Sequence, residues 1–151
     1  MNEFLKALII GAIYVFIFGA GELMRRLVKG KPELSRKTVH FLGGLTSLSF
    51  PYVFTSHWTV LSLAGGFIII ITAAKKFGLL KSVHGVKRHS SGAEYFPVAI
   101  YLIFLLSQNT PHFYVISILV MTVSDTLAAI LGKTYGSIRY DVEGNIKSLE
   151  G

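Results

Sequence analysis

Two long stretches of this chain, residues 38–74 and 95–124, contain no Asp, Glu, Lys or Arg. A helix that crosses a bilayer needs about 20 apolar residues. Each stretch therefore has room for one crossing and a second, shorter one joined by an uncharged turn. In hydrocarbon every backbone amide must find its partner within the segment, so such stretches fold as helices. The rest of the composition agrees. Of 151 residues, 52% are hydrophobic and 15% charged, with a mean hydropathy of +0.57. An ordinary soluble domain has about 25% charged residues. These values exclude a soluble globular domain and a disordered chain. The absence of cysteine excludes disulfides, thiol catalysis and cysteine zinc sites.

The sequence predicts an all-α integral membrane protein, a single membrane domain over residues 1–151. Its five transmembrane helices lie at about 4–23, 39–54, 58–74, 95–107 and 113–131, followed by a tail, 133–151. The second and fourth are short for a full crossing, which calls for tilt or a thinned arrangement. The net charge of +7 is distributed unevenly. The segments after the first, third and fifth spans hold 14 of the 15 basic residues, and only Lys6 lies on the other side. By the positive-inside rule the N-terminus is outside and the C-terminus cytoplasmic. The basic excess is thus read as a topology signal, with anionic lipid head groups or phosphates as its partners and no nucleic acid. Arg25 and Arg26 follow the first apolar run, the charge order of an N-out anchor rather than a cleaved leader. Gly144-Asn145, between short β-capable runs, predicts a hairpin-like loop in the tail.

Against so few charges, Asp125 stands out. It lies inside the fifth span, about two turns from the cytoplasmic end, where an ionised carboxylate is costly and marks a functional candidate. Asp125, Ala128/Ala129, Gly132 and Gly136 follow helical steps of three and four. One face then carries an acid followed by small residues, open to a bulky ligand. The same pattern also fits a close helix-packing face with Asp125 paired to a Lys or Arg. Three polar groups flank the spans on the same side. Arg36, Lys37 and His40 enter the second span, Arg36 and His40 sharing a helical face, with Ser35 as a helix cap after Pro32. Lys87-Arg88-His89-Ser90-Ser91-Gly92 precedes the fourth span. Asp141, Glu143, Lys147, Ser148, Glu150 and Gly151 form the tail. Each fits phosphate or Mg²⁺ contacts, and each also fits a solvated flank. Glu22 is expected to pair with Arg25 or Arg26.

Gly132-Lys133-Thr134 looks like the end of a P-loop, but that motif needs glycine where Leu127 stands, after a strand rather than a span.

The combination resembles the polyprenol kinase family, which includes dolichol kinase, phytol kinase and CTP-dependent diacylglycerol kinases. Three segments carry the resemblance. They are Arg36-Lys37-Thr38-Val39-His40-Phe41-Leu42-Gly43, Asp125-x-x-Ala128-x-x-x-Gly132-Lys133-x-Tyr135-Gly136, and Lys147-Ser148-Leu149-Glu150-Gly151. The Ser90-Ser91-Gly92 loop also fits. The resemblance implies a membrane lipid kinase that transfers a phosphoryl group from CTP to the hydroxyl of a lipid alcohol, with Mg²⁺ or another divalent cation. It implies Asp125 and Glu150 as catalytic and metal-holding groups. Arg36, Lys37, Gly132, Lys133, Gly136, Lys147 and Ser148 would bind nucleotide or phosphate, and His40, Ser91 and Gly92 would support them. The site would face the cytoplasm, from the cytoplasmic membrane of a prokaryote or the endoplasmic reticulum or plastid membrane of a eukaryote. Family members usually continue past the Lys-Ser-x-Glu-Gly block with further spans, so the chain is expected to be truncated. The competing readings are a phosphatidate cytidylyltransferase-like enzyme, which also uses CTP, and an inactive fragment or small non-enzymatic membrane protein.

Overall fold

A computed structural model of the chain describes residues 2–28, 32–84, 92–142 and 145–150. The described residues are helical up to Thr134 and end in a two-stranded hairpin. Helix α1, Glu3–Leu27, begins where the Asn2 side chain accepts the Phe4 amide at 3.3 Å. Glu3 in its first turn and Arg25 and Arg26 in its last oppose the helix dipole favourably. Helix α2, Pro32–Ser47, opens with proline, whose missing N–H costs nothing at that position. Ser35, expected as its cap, is instead buried inside the first turn. Proline supplies the start that the serine was predicted to give. The short helix α3, Phe50–Val53, turns the chain into α4, His57–Lys76. Gly78 and Leu80 take left-handed backbone angles, φ 66° and 48°, and lead into the single turn α5, Lys81–His84. Helix α6, Gly92–Leu106, and α7, Pro111–Leu119, come next. A π-helical segment, Val120–Ser124, joins α7 to α8, Asp125–Thr134. Strands β1, Arg139–Val142, and β2, Asn145–Ser148, pair antiparallel with Arg139 opposite Ser148 and Val142 opposite Asn145. The paired strands of the expected hairpin are thus present, and Gly144 of the expected turn lies outside the described residues.

Contacts between distant residues set the helices side by side in a consistent order. Buried Tyr14 of α1 donates its hydroxyl to the Gly43 carbonyl of α2 at 2.8 Å. One level nearer the basic end, Gly21 lies against Val39, and a Cβ there would collide with the valine. On the other flank of α2, the Tyr114 hydroxyl of α7 meets the Ser47 carbonyl at 2.9 Å. Gly44 admits Thr122 of the π segment so closely that any Cβ would overlap it. Lys37 reaches Asp125. So α2 runs antiparallel both to α1 and to the α7–π–α8 run. Glu3 approaches Thr55 at one end of the bundle. Glu22 and the Ser82 amide meet at the other, as do Lys75 and Glu94. The helix ends bearing the basic flanks therefore gather together, with Lys6 at the opposite end beside Glu3.

Three described helices are long and apolar enough to cross a membrane, Glu3–Leu27, His57–Lys76 and Pro111–Gly132. They correspond to the first, third and fifth expected spans. Helix α6, the fourth, is shorter. The second expected span, 39–54, departs most. The helix starts seven residues earlier and ends at Ser47, because its charged first turns pack inside the bundle instead of flanking it. Lys37 and Ser35 are both buried. The large apolar side chains left outside, such as Phe16, Ile69 and Leu106, are 70–84% exposed. That is the inverse of a soluble surface, and it gives a hydrocarbon solvent its contact face.

Candidate active site

The site is built where α2 crosses the start of α8. Lys37 and His40 are three residues apart and share a helical face. Lys37 is pulled into the bundle, with its side chain 7% exposed. A buried ammonium needs partners, and Asp125 supplies two. The Lys37 amine donates to Asp125 Oδ2 at 2.5 Å and to the Asp125 backbone carbonyl at 2.9 Å. His40 Nε2 lies 3.3 Å from the same carboxylate oxygen, out of line for a hydrogen bond. Its ring rests on Phe96 of α6, centroids 4.3 Å apart. Asp125 itself is half exposed, and its second oxygen, Oδ1, carries no hydrogen bond among the described residues. Arg36 turns aside to Glu33, one turn earlier, at 2.8 Å.

Asp125 is delivered to this place by a backbone irregularity. The π segment ends at Ser124, and Asp125 is the first residue of α8. π-Helical turns recur at functional sites because the extra residue shifts the register of the helix beyond it. The Thr122 carbonyl accepts the Asp125 amide and also the Thr126 hydroxyl, the latter at 2.8 Å. The Gly44–Thr122 approach brings the two helices close enough for Lys37 to span the gap.

Next to this polar cluster is a cavity of about 410 Å³. Arg36, Lys37, His40 and Asp125 line one end of it, and Phe50, Val60 and Ile100 the other. Between them the walls are apolar, including Phe67 and Ala64 of α4 and Tyr14 of α1.

The second half of the expected site sits on the hairpin. Glu150 Oε1 accepts the amides of Ser137 and Ile138, at 2.9 and 3.3 Å, and the Ser137 hydroxyl. These bonds hold its carboxyl at about 2, below the ordinary carboxylate range. Ser148 donates to the Gly132 carbonyl at 3.2 Å. A Cβ on Gly136 would strike both the Gly132 carbonyl and Ser148. The small residues after Asp125 thus admit the chain's own hairpin at this level. The structure brings Asp125, Lys37 and His40 together, and separately Gly132, Gly136 and Ser148. Glu150 is engaged with Ser137 and Ile138 rather than with Asp125. Ser91 lies outside the described residues, as do the side chains of Lys133 and Lys147. Gly92 begins α6 and lines the cavity. Glu22, at the basic end of α1, pairs with Arg25 at 2.6 Å and more loosely with Arg26 at 3.8 Å.

Sequence reasoning missed the tyrosine braces, the Phe96 shelf under His40 and the π segment. A signal for the first was present. A tyrosine inside an apolar span needs a partner for its hydroxyl, and Gly43-Gly44 in an apolar helix marks a close approach.

Among the described residues, no group of three or more His, Cys, Asp or Glu could hold a metal by itself. Mg²⁺ commonly binds through one or two carboxylates and completes its shell with waters and substrate phosphates. Asp125, with one oxygen uncommitted, fits that mode.

No family model matches the chain, and no solved structure matches it. Among curated proteins it is similar to a phytol kinase from Synechocystis sp., with 35% identity over 150 residues. That alignment takes in 97% of this chain and 62% of the relative, so the chain spans about three-fifths of the length of the protein it matches. The motifs and the similarity along nearly all of the chain agree: the chain is a relative of the phytol and polyprenol kinases.

Proposed function

We propose that the chain carries the phosphoryl-transfer site of a membrane lipid-alcohol kinase. The observation that carries this reading is the placement of Lys37, His40 and Asp125 at one end of an apolar cavity of about 410 Å³. A lipid alcohol has the same polarity, a long tail and one hydroxyl. The similarity to a phytol kinase supports the same class of reaction.

Phosphoryl transfer asks the protein for positioning and charge neutralisation more than for covalent chemistry. Asp125 Oδ1 would orient the attacking hydroxyl or hold a divalent cation, which when bound neutralises charge on the donor phosphates. Lys37 holds Oδ2 and so fixes the direction in which Oδ1 points. Arg36, which also lines the cavity, would add positive charge for the phosphates. His40 would take up a proton or steady the carboxylate. Glu150 would act by closing the hairpin that seals the end of α8. Lys133, Lys147, Ser148 and Gly92 complete the proposed phosphate face, with CTP as the donor that the family resemblance implies. The site would open to the cytoplasm, on the side where the basic helix ends gather.

The test offers labelled CTP and ATP with a panel of lipid alcohols in membranes containing the protein. Lipid phosphate and CDP are expected, dependent on a divalent cation. Pyrophosphate in place of CDP would mean a cytidylyltransferase and overturn the reading.

A further inference from the structure

The opening of the cavity can be located from its own lining. Of the described residues that line it, only Gly92 and Tyr95 of α6 and Asp125 of α8 are exposed, and Tyr95 is 69% so. The others are buried or half-buried. The mouth therefore lies between the first turn of α6 and the start of α8. The helix arrangement gives the reason. Helix α6 meets α7 at the end away from the basic flanks, where the Phe104 and Tyr114 rings stand edge to face, centroids 5.9 Å apart. Toward the basic end α6 follows α4 instead, and Lys75 holds Glu94 there at 2.7 Å. Among the described residues α6 does not pack along α8. The result is a gap, closed at one end by Phe104 and Tyr114 and open at the other beside Asp125.

The rims of the gap show what it opens onto. Tyr95, Val98 and Leu102 recur at helical spacing along α6, and Val120 and Leu127 flank the π segment on the other side. All five side chains are 37–69% exposed. Apolar rims on membrane helices face hydrocarbon, and Tyr95, at the basic end of its helix, has the place of an interfacial tyrosine. Passage of a lipid tail through water would cost about 0.8 kcal/mol for each methylene. Passage sideways from the bilayer avoids that cost.

Resting on the kinase reading, we propose that the gap between α6 and α8 is a side door, through which the lipid alcohol enters the cavity from the leaflet at the basic helix ends. The tail slides between Tyr95 and Asp125 toward Phe50 and Val60. The hydroxyl comes to rest beside Asp125 without the tail crossing water. Tyr95 stands at the edge of the door and acts on entry, not on the transfer step.

The chain has no cysteine, so a single one can be placed and labelled without background. In nanodiscs, Tyr95→Cys is capped with a bulky, reducible methanethiosulfonate adduct. Leu106→Cys, exposed at the opposite end of the same helix, receives the same adduct as the control. Two readouts are taken: photolabelling of α4 by a diazirine-bearing hexadecanol without nucleotide, and the initial rate of lipid-alcohol phosphorylation. The adduct at position 95 is expected to lower both by about tenfold, and reduction to restore them, the behaviour of a blocked entry step. The adduct at position 106 should change neither. Equal effects at the two positions, or none at position 95, would overturn the proposal. If Tyr95→Cys does not accumulate, Val98→Cys on the same rim takes its place. Tyr95→Trp in a Trp58→Phe background, which leaves one tryptophan, reads the direction of the door. Quenching by tail-brominated lipids is expected, and quenching by aqueous iodide alone would overturn the bilayer route. Photolabelling that the adduct blocks, with no phosphorylation of any alcohol, would keep the door and sink the kinase reading. Phosphorylation and photolabelling that both ignore the adduct would do the reverse.

Discussion

Asp125 and Glu150 are two carboxylates in one block of sequence, and the structure gives them opposite surroundings. Asp125 is held by Lys37, 88 residues away, in a junction of helices braced by Tyr14 and Tyr114. Glu150 is held by Ser137 and Ile138, 13 and 12 residues away, on an exposed hairpin. Each keeps its second oxygen without a hydrogen bond among the described residues, but Asp125 lines a cavity, while Glu150 spends Oε1 on the amides of its own hairpin. The first arrangement suits a group that acts on something else. The second suits a group that shapes its own loop. Proximity in sequence therefore says little about a shared role, because a span and the tail after it answer to different solvents.

The largest expected difference between the two is in catalysis. Asp125→Asn keeps the shape but gives Lys37 a neutral partner and removes the charge at the cavity end. A loss of about 10²–10³ in lipid phosphorylation is expected, the scale of removing one well-aimed electrostatic group. Glu150→Gln is expected to lose less than about tenfold, because it touches only the hairpin. Rates measured in membranes at matched protein levels decide it, and equal losses would erase the distinction between the two carboxylates.

Glycine substitutions test the same contrast in stability. Gly44→Ala drives a Cβ into Thr122 between two core helices and is expected to cost about 1–3 kcal/mol overall, seen as earlier unfolding in detergent. Gly136→Ala collides with the Gly132 carbonyl and Ser148, yet its effect is expected to stay local. Amide exchange should rise in β1 and β2 while the unfolding midpoint of the bundle holds. Tyr114→Phe lies below Gly44→Ala. It leaves the buried Ser47 carbonyl without its donor, and a loss of about 1 kcal/mol is expected from the same unfolding measurement.

These residues also show how far the sequence could be read. The apolar stretches announce the helices because hydrocarbon tolerates little else, and Asp125 is conspicuous because a carboxylate inside a span is costly. Lys37 and His40 are visible as a basic flank, but in sequence their pairing with Asp125 is one of two open readings. The choice depends on how α2 enters the bundle. Its charged first turns look like a solvated border, and they are buried because Asp125 and Glu33 meet their charges inside. The π segment leaves no clear trace in Val120–Ser124, five residues that suit an ordinary helix equally well. Gly132 and Gly136 are legible as close-approach positions, but sequence alone does not tell a ligand from the hairpin that packs there.

The smallest expected effect is the pH response of the hairpin, and it belongs to Glu150. Two amides and a hydroxyl hold its carboxyl at about 2 in the folded chain, against an ordinary 4.5. A carboxylate with a lowered folded value stabilises its loop fully above the unfolded value. That contribution fades as pH falls from 4.5 toward 2, where protonation removes the charge that the Ser137 and Ile138 amides prefer. Glu150 is exposed, so solvent screens the effect and confines it to the hairpin. Amide exchange at Ser137, Ile138 and Leu149 should accelerate over that interval, relative to the exchange expected of free peptide at the same pH. The amides of α2 around Lys37 should not follow the same curve. Glu150→Gln should abolish the response, since the amide oxygen still accepts from Ser137 but carries no titrating proton. An unchanged pH profile in that variant would assign the response to another group and leave Glu150 without its local role in the hairpin.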